Sequence, residues 1–354
     1  MDTLEYLQQL LTIPSPSGQE DEISLFLGKQ LEEFGFAVKK DAFGNLIARN
    51  CSPDVGAILL SVHMDTVSSA VNVLPVIKDG YLVNDGNGPL GIDDKLGVAA
   101  ILSLLERKTD SFPFVICITR GEEQGLSGAR HLDYSLLGKV RFGYVFDANG
   151  KIGTVVIQAP GKIQSKAIFH GQSAHAGFEP EKGISAIQLA CKAVNEMKLL
   201  RVDDETTANI GSFQASGATN IVCDRAELTF EVRSRNLEKL RQVQQKLEDV
   251  CLSAAQSGGG TVSIERETSY LPYEKPSNCA SLVYLSGRYT GSVWPTATGG
   301  GSDANCFNAH GYDALVCAIG YEYPHTSKER VLLRQIAELD KLFTDLFMDQ
   351  RIEE

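Results

Sequence analysis

The sequence has no C-x-x-C pair, no block of basic residues and no apolar run longer than a strand, and each absence excludes a class of function. Apolar stretches such as Ala57–Val62 are strand-sized, well short of the roughly 18–20 residues of a membrane span, so no membrane partner is expected. Lys and Arg total 33 against 45 Asp and Glu, a net charge of −12 scattered in small mixed groups. Phosphate binding wants a basic face, so no nucleic-acid partner is expected either. The eight cysteines, several inside apolar runs such as those around Cys117 and Cys317, read as reduced, mostly buried small hydrophobes. Any metal must then be held by histidines and carboxylates. The start, Met1-Asp2-Thr3-Leu4-Glu5, has neither the basic opening nor the apolar stretch of a secretory leader, and a cytoplasmic location is expected. No strand-like run leads into G-x-G-x-x-G, which weakens the nucleotide-binding reading of an α/β chain.

What is present is a chain of 354 residues, 43% hydrophobic, large enough for two domains with a sizeable core. The first half alternates helical patterns (Ile23–Phe34, Lys95–Glu106) with buried strands (Ala57–Val62, Phe114–Thr119, Phe142–Phe146), the rhythm of an α/β sheet. An extended pair, Phe36–Lys40 and Asn45–Arg49, precedes those strands. From about residue 162 the rhythm becomes β-α-β-β-α-β, the order of a split ferredoxin-like unit. Its elements are strands at Ile163–His170, Asn209–Phe213, Glu227–Val232 and Thr261–Arg266, with helices at Ile184–Met197 and Leu237–Ala255. A helix near Ser281–Arg288, a strand at Ala314–Ile319 and a helix over Lys328–Phe347 return to the first style. The expectation is an α/β catalytic domain over 1–161 and 272–354, with an α+β domain inserted at 162–271. Pattern changes at Pro160-Gly161 and Leu271-Pro272 mark the hinges.

Chemistry-bearing residues fall where the strands end. His63-Met64-Asp65 follows the strand Ala57–Val62; it is a structural histidine or a metal ligand whose other ring nitrogen a carboxylate fixes. Gly91-Ile92-Asp93-Asp94-Lys95 opens a helix, where two acids serve as cap and dipole partner or as ligands. Glu122-Glu123 lies just past Phe114–Thr119, Asp147 ends Phe142–Phe146, and His325 follows Ala314–Ile319. Ligands in open α/β sheets gather at the carboxyl ends of strands. Each residue alone is weak, but His63, Asp93, Glu123, Asp147 and His325 together supply two imidazoles and three carboxylates at one expected sheet edge. That set suits two zinc ions sharing a bridging carboxylate.

Taken together, His63-x-Asp65, Gly91-x-Asp93-Asp94-Lys95, Glu122-Glu123-x-Gly125, Asp147, His325 and Gly171-Gln-Ser-Ala-His175-Ala-Gly resemble the co-catalytic di-zinc peptidases that include aminoacylase, carboxypeptidase G and peptidase T. Asp93-Asp94-Lys95 and Phe146-Asp147 are most similar to the peptidase T (tripeptidase-like) branch. Arg120, just before the Glu pair, departs from the smaller or apolar residue usual there.

The resemblance implies a zinc-exopeptidase-type mixed sheet flanked by helices, with an inserted ferredoxin-like lid and dimerisation domain. It implies one zinc on His63, Asp93 and Asp147 and a second on Asp93, Glu123 and His325, with Co²⁺ or Mn²⁺ as alternative metals. Asp65 would orient His63, Glu122 would be the general base toward a metal-activated water, and the Asp93–Asp94 peptide bond would be cis. His175 would stabilise an oxyanion, in its own subunit or in a partner's, while Asn220, Arg233, Gly300 and Gly301 would contact substrate. The implied function is a zinc metallo-exopeptidase cleaving short peptides, an aminopeptidase or tripeptidase acting as a homodimer through the inserted domain. The alternatives are an N-acyl amino acid deacylase or a carboxypeptidase with the same di-zinc chemistry, and a non-catalytic peptide-binding relative. His131, His170 and His310 read as structural.

Overall fold

The computed structural model describes residues 1–107 and 112–348 and divides into two compact units, one of 1–157, 275–297 and 302–354, the other of 158–274 and 298–301. The core of the first is a mixed sheet. Its central strand, Ala57–His63, is buried throughout and runs parallel to Phe114–Thr119 on one side and Val140–Ala148 on the other. Ala314–Ala318 continues the parallel set beside Val140–Ala148, while Leu46–Arg49 and Ala37–Lys40 close one edge antiparallel. Strands covered on both faces read as unbroken apolar runs, which is how these appear in the sequence.

Helix Lys95–Glu106 is buried from Lys95 to Leu105. It passes so close to the strand ends that a Cβ on Gly97 would lie 2.7 Å from the Phe146 carbonyl oxygen and 2.9 Å from Val62. Only glycine permits that approach, and it brings the helix start, with Asp93 and Asp94, to the carboxyl ends of two core strands. A second, antiparallel sheet of Pro75–Lys78, Tyr81–Asn84, Arg330–Leu332 and Tyr321–Glu322 carries the turn containing His325. Here the structure corrects the expected helix over Lys328–Phe347: Arg330–Leu332 pairs as a strand with Tyr81–Val83, and the helix is Leu333–Phe347. A helix not expected from the pattern, Thr3–Leu11, starts with a capping box between Asp2 and Glu5. No helix among the described residues is long and apolar enough to cross a membrane, and the eight cysteines are free.

The second unit is an antiparallel sheet in the order Leu200–Asp203, Thr206–Ala215, Arg225–Ser234, Gly161–His170, Thr261–Tyr270. Alternate residues of Gly161–His170 and Arg225–Ser234 are buried, packing with helices Ala186–Glu196 and Leu237–Ser257 into a separate apolar cluster. A polar knot ties the edge strand down. Glu248 accepts from Ser165 Oγ at 2.7 Å, Gln244 Nε2 at 3.0 Å and Arg266 Nε at 2.8 Å. Burial opposes the charge on Glu248, but Arg266 foremost, then Gln244 and Ser165, hold its pKa below the ordinary value. A depressed carboxyl pKa contributes stability above the unfolded value of about 4.3 that is lost as pH falls towards the folded value. Glu248→Gln is therefore expected to cost about 1–3 kcal/mol at pH 7, the range for hydrogen bonds to charged groups, and clearly less at pH 3. Urea unfolding at the two pH values checks this; an equal loss at both would remove the ionised carboxylate from the account.

Candidate metal centre and active site

The parallel register sets His63 directly beside Thr119, and Asp147 lies one residue from the end of its strand. The Asp93–Asp94 peptide bond is cis, as the resemblance implies. His325 sits in the Tyr321–Leu332 hairpin with a left-handed backbone, φ 63°. These residues, remote in sequence, meet. His63 Nε2 is 3.3 Å from Asp93 Oδ1 and 3.6 Å from Asp147 Oδ1. His325 Nε2 is 3.3 Å from the other oxygen of the same carboxylate, Asp93 Oδ2. It also lies 2.7 Å from Glu123 Oε1, yet that oxygen has no hydrogen-bond partner, so the approach is close without being aligned.

Around these atoms stands a supporting set. His63 Nδ1 faces the Asp65 carbonyl at 2.9 Å and its carboxylate at 3.4 Å. Asp65 also accepts the backbone N–H groups of Glu122 at 3.0 Å and Glu123 at 3.2 Å, and the Ser17 hydroxyl at 2.6 Å. One buried carboxylate thus aims the imidazole and fixes the Glu122–Glu123 turn. Sequence reasoning misses Ser17, which only its place in the turn-rich Pro14-Ser-Pro-Ser-Gly18 could have flagged. Asp94, which the sequence offers as a cap or a ligand without a fixed role, accepts the His63 backbone N–H on Oδ2 at 3.1 Å and groups with His63 and Asp147 at ligand distance, as Asp93 and Glu123 do with His63. Asp303 is missed too: fully buried, it accepts the Thr119 hydroxyl at 2.5 Å while its Oδ1 has no hydrogen-bond partner. Arg120 has a plain account. Its guanidinium pairs at 2.6 Å with buried Glu20, so it braces the segment before the Glu pair.

The electrostatics are those of a site built for cations. Burial disfavours charge on His63, but hydrogen bonds to Asp147, Asp65 and Asp93 hold its pKa well above the usual value. Burial likewise opposes ionisation of Asp93, and His325 and His63 overcome it. Asp93 and Glu123 lift His325 to about 10. Burial pushes Asp147 up to about 8, and burial, with Asp147 next, lifts Glu122 and Asp94 well above the carboxylate range. Buried acids this close cannot all ionise alone. Divalent cations would hold them ionised and use the unsatisfied oxygen of Glu123, so the donor set fits.

The remaining sequence-derived residues belong to the second unit. Exposed His175 pairs as an isolated bridge with Ile221, and Ala176 N–H donates to the Asn220 carbonyl at 2.9 Å, bringing His175 and Asn220 together. The backbone N–H groups of Gly177 and Phe178 point at His175 Nδ1, at 3.1 and 3.2 Å. Nδ1 is therefore the acceptor and Nε2 carries the proton. Arg233 is held by Glu231 at 2.7 Å. Gly300 N–H donates to Thr298 Oγ1 at 3.2 Å, and Gly301 backs onto the Tyr270 ring. His131 and His310 each close a short helix, and His170 faces Ser263 across neighbouring strands.

A peptidase dimerisation domain of the M20 type matches residues 157–258. The uncharacterised protein YqjE of Bacillus subtilis is 37% identical over 351 residues, 95% of this chain and 94% of that protein. A tripeptidase structure from Staphylococcus aureus superposes with a TM-score of 0.89 at 35% identity, covering 98% and 96% of the two chains. An aminopeptidase PepT structure from Bacillus cereus gives 0.85 at 33%, covering 98% and 97%. The chain belongs to the M20 family of metallo-exopeptidases, with the family's dimerisation domain inserted in its mixed α/β fold.

Proposed function

We propose that the chain is a zinc aminopeptidase of short peptides, with tripeptides as the preferred class. The observation that carries this reading is Asp93, whose two carboxylate oxygens face the His63 and His325 imidazoles at 3.3 Å each. His63, Asp93 and Asp147 would hold one ion, and Asp93, Glu123 and His325 the other. Bound there, divalent ions would supply Lewis acidity toward the scissile carbonyl and a lowered pKa for water. Glu122, on a backbone that Asp65 pins, takes the proton from the attacking water and returns it to the leaving amine. Asp65 keeps His63 in one tautomer and orientation. His175 offers its Nε2–H to the developing oxyanion, with Asn220, Arg233 and the backbone at Gly300 and Gly301 gripping the substrate. In this reading residues 1–161 and 272–354 form the catalytic domain, and 162–271 a lid through which two cytoplasmic chains dimerise.

Metal analysis combined with a panel of tripeptides, dipeptides and N-acetyl amino acids tests the proposal. Near two equivalents of zinc with tripeptides turned over fastest supports it. Preference for N-acetyl amino acids would make the protein a deacylase, and full metal without turnover would make it a peptide binder.

A further inference from the structure

Two of the site's proposed ligands, Asp93 in the Gly91–Asp93 turn and His325 in its hairpin turn, lie far apart in the chain, and one buried side chain joins their segments. Glu329 is 2% exposed. Its Oε2 accepts the backbone N–H of Gly91 at 2.6 Å. A buried carboxylate is costly unless such a donor satisfies it, and this bond ties the turn that presents Asp93 to Glu329. Gly91 needs this: its φ of +70° lies in the left-handed region, and a Cβ there would meet Ala70 at 3.2 Å. The other end is equally built. Glu329 N–H donates to the Thr326 carbonyl at 3.0 Å, the Thr326 hydroxyl to the Tyr323 carbonyl at 2.8 Å, and the flanking strands pair Tyr321 with Val331 and Glu322 with Arg330. Glu329 thus leaves the hairpin four residues after His325 and grasps the turn that carries Asp93.

We infer that Glu329 is a positioning residue that fixes the distance between the Asp93 carboxylate and the His325 imidazole, and so sets the affinity of the metal site without touching metal or substrate. The inference rests on the two-metal reading above. Outer partners of this kind are worth about 10–100-fold in metal affinity.

The test titrates chelator-stripped protein with Zn²⁺ in competition with a chromophoric chelator, alongside melting of the stripped protein and kcat and KM at saturating Zn²⁺. Glu329→Ala should weaken Zn²⁺ binding about 10–100-fold and recover most of its kcat once zinc saturates. Glu329→Gln keeps an acceptor for Gly91 N–H and should fall between it and the parent. Parental zinc affinity in both variants would overturn the inference. So would a lower melting temperature of the stripped protein with zinc affinity unchanged, because that is a purely structural role. If Glu329→Ala fails to fold, Glu329→Gln decides alone: weakened zinc binding supports the inference and parental affinity overturns it. A parent protein that binds no zinc would defeat the two-metal reading itself, whereas a zinc-binding parent with insensitive variants defeats only the role of Glu329.

Discussion

Glu122→Gln is expected to keep full metal and lose about 10²–10⁴-fold in kcat, the weight of a positioned general base. The substitution keeps size and removes only the ability to take a proton. The backbone at Glu122 does not depend on its own side chain, because its N–H and that of Glu123 are both held by Asp65 at 3.0 and 3.2 Å. Glu123, the neighbouring proposed ligand, should therefore stay in place and KM should change little. Burial and the nearby Asp147 raise the Glu122 carboxyl. Cations beside it act in the opposite sense and restore the ionised base. Metal content by elemental analysis and kcat on a tripeptide decide the matter. Near-normal turnover at full metal content would take Glu122 out of the reaction.

The candidate ligands are legible in the sequence because the strands carrying them are covered on both faces. Ala57–Val62 reads as an unbroken apolar run, and its parallel register with Phe114–Thr119 places His63 where the next loop begins. The inserted unit is legible for a different reason: its sheet is buried on one face, and the period-two burial of Gly161–His170 is written in its alternation. Short elements fixed by distant partners are not. Arg330–Leu332 follows Lys328-Glu329 and resembles a helix start, yet its conformation is set by pairing with Tyr81–Val83, a contact without a local signal. The matching hairpin did leave a trace, Asp79-Gly80, both with positive φ, the dipeptide favoured in two-residue turns. Ser17, Asp303 and Glu329 are hardest to foresee, because each acts through a hydrogen bond to a residue dozens to hundreds of positions away. Arg120 teaches the converse: a residue that departs from the family's pattern proves to be the partner of Glu20, which by itself looks like a surface acid.

Asp93→Asn should abolish zinc binding at one site at least and carry turnover with it, a loss beyond the roughly 10–100-fold of an outer-shell partner. Each oxygen of Asp93 faces one imidazole at 3.3 Å, and an amide in its place offers one neutral oxygen where two charged ones stood. The adjacent Asp94 makes this a sharp test, because it too groups at ligand distance with His63 and Asp147. The two aspartates differ in what they already hold. Asp94 Oδ2 is engaged by the His63 backbone N–H at 3.1 Å, and its carboxylate lies over the first helical turn, where a Cβ on Gly97 would come within 2.4 Å of Oδ1. Asparagine at 94 can keep that acceptor, so Asp94→Asn should retain both zinc ions and most of its turnover. The reverse outcome, zinc lost from Asp94→Asn and kept by Asp93→Asn, would move the ligand from one side of the cis bond to the other and leave the two imidazoles without a shared carboxylate.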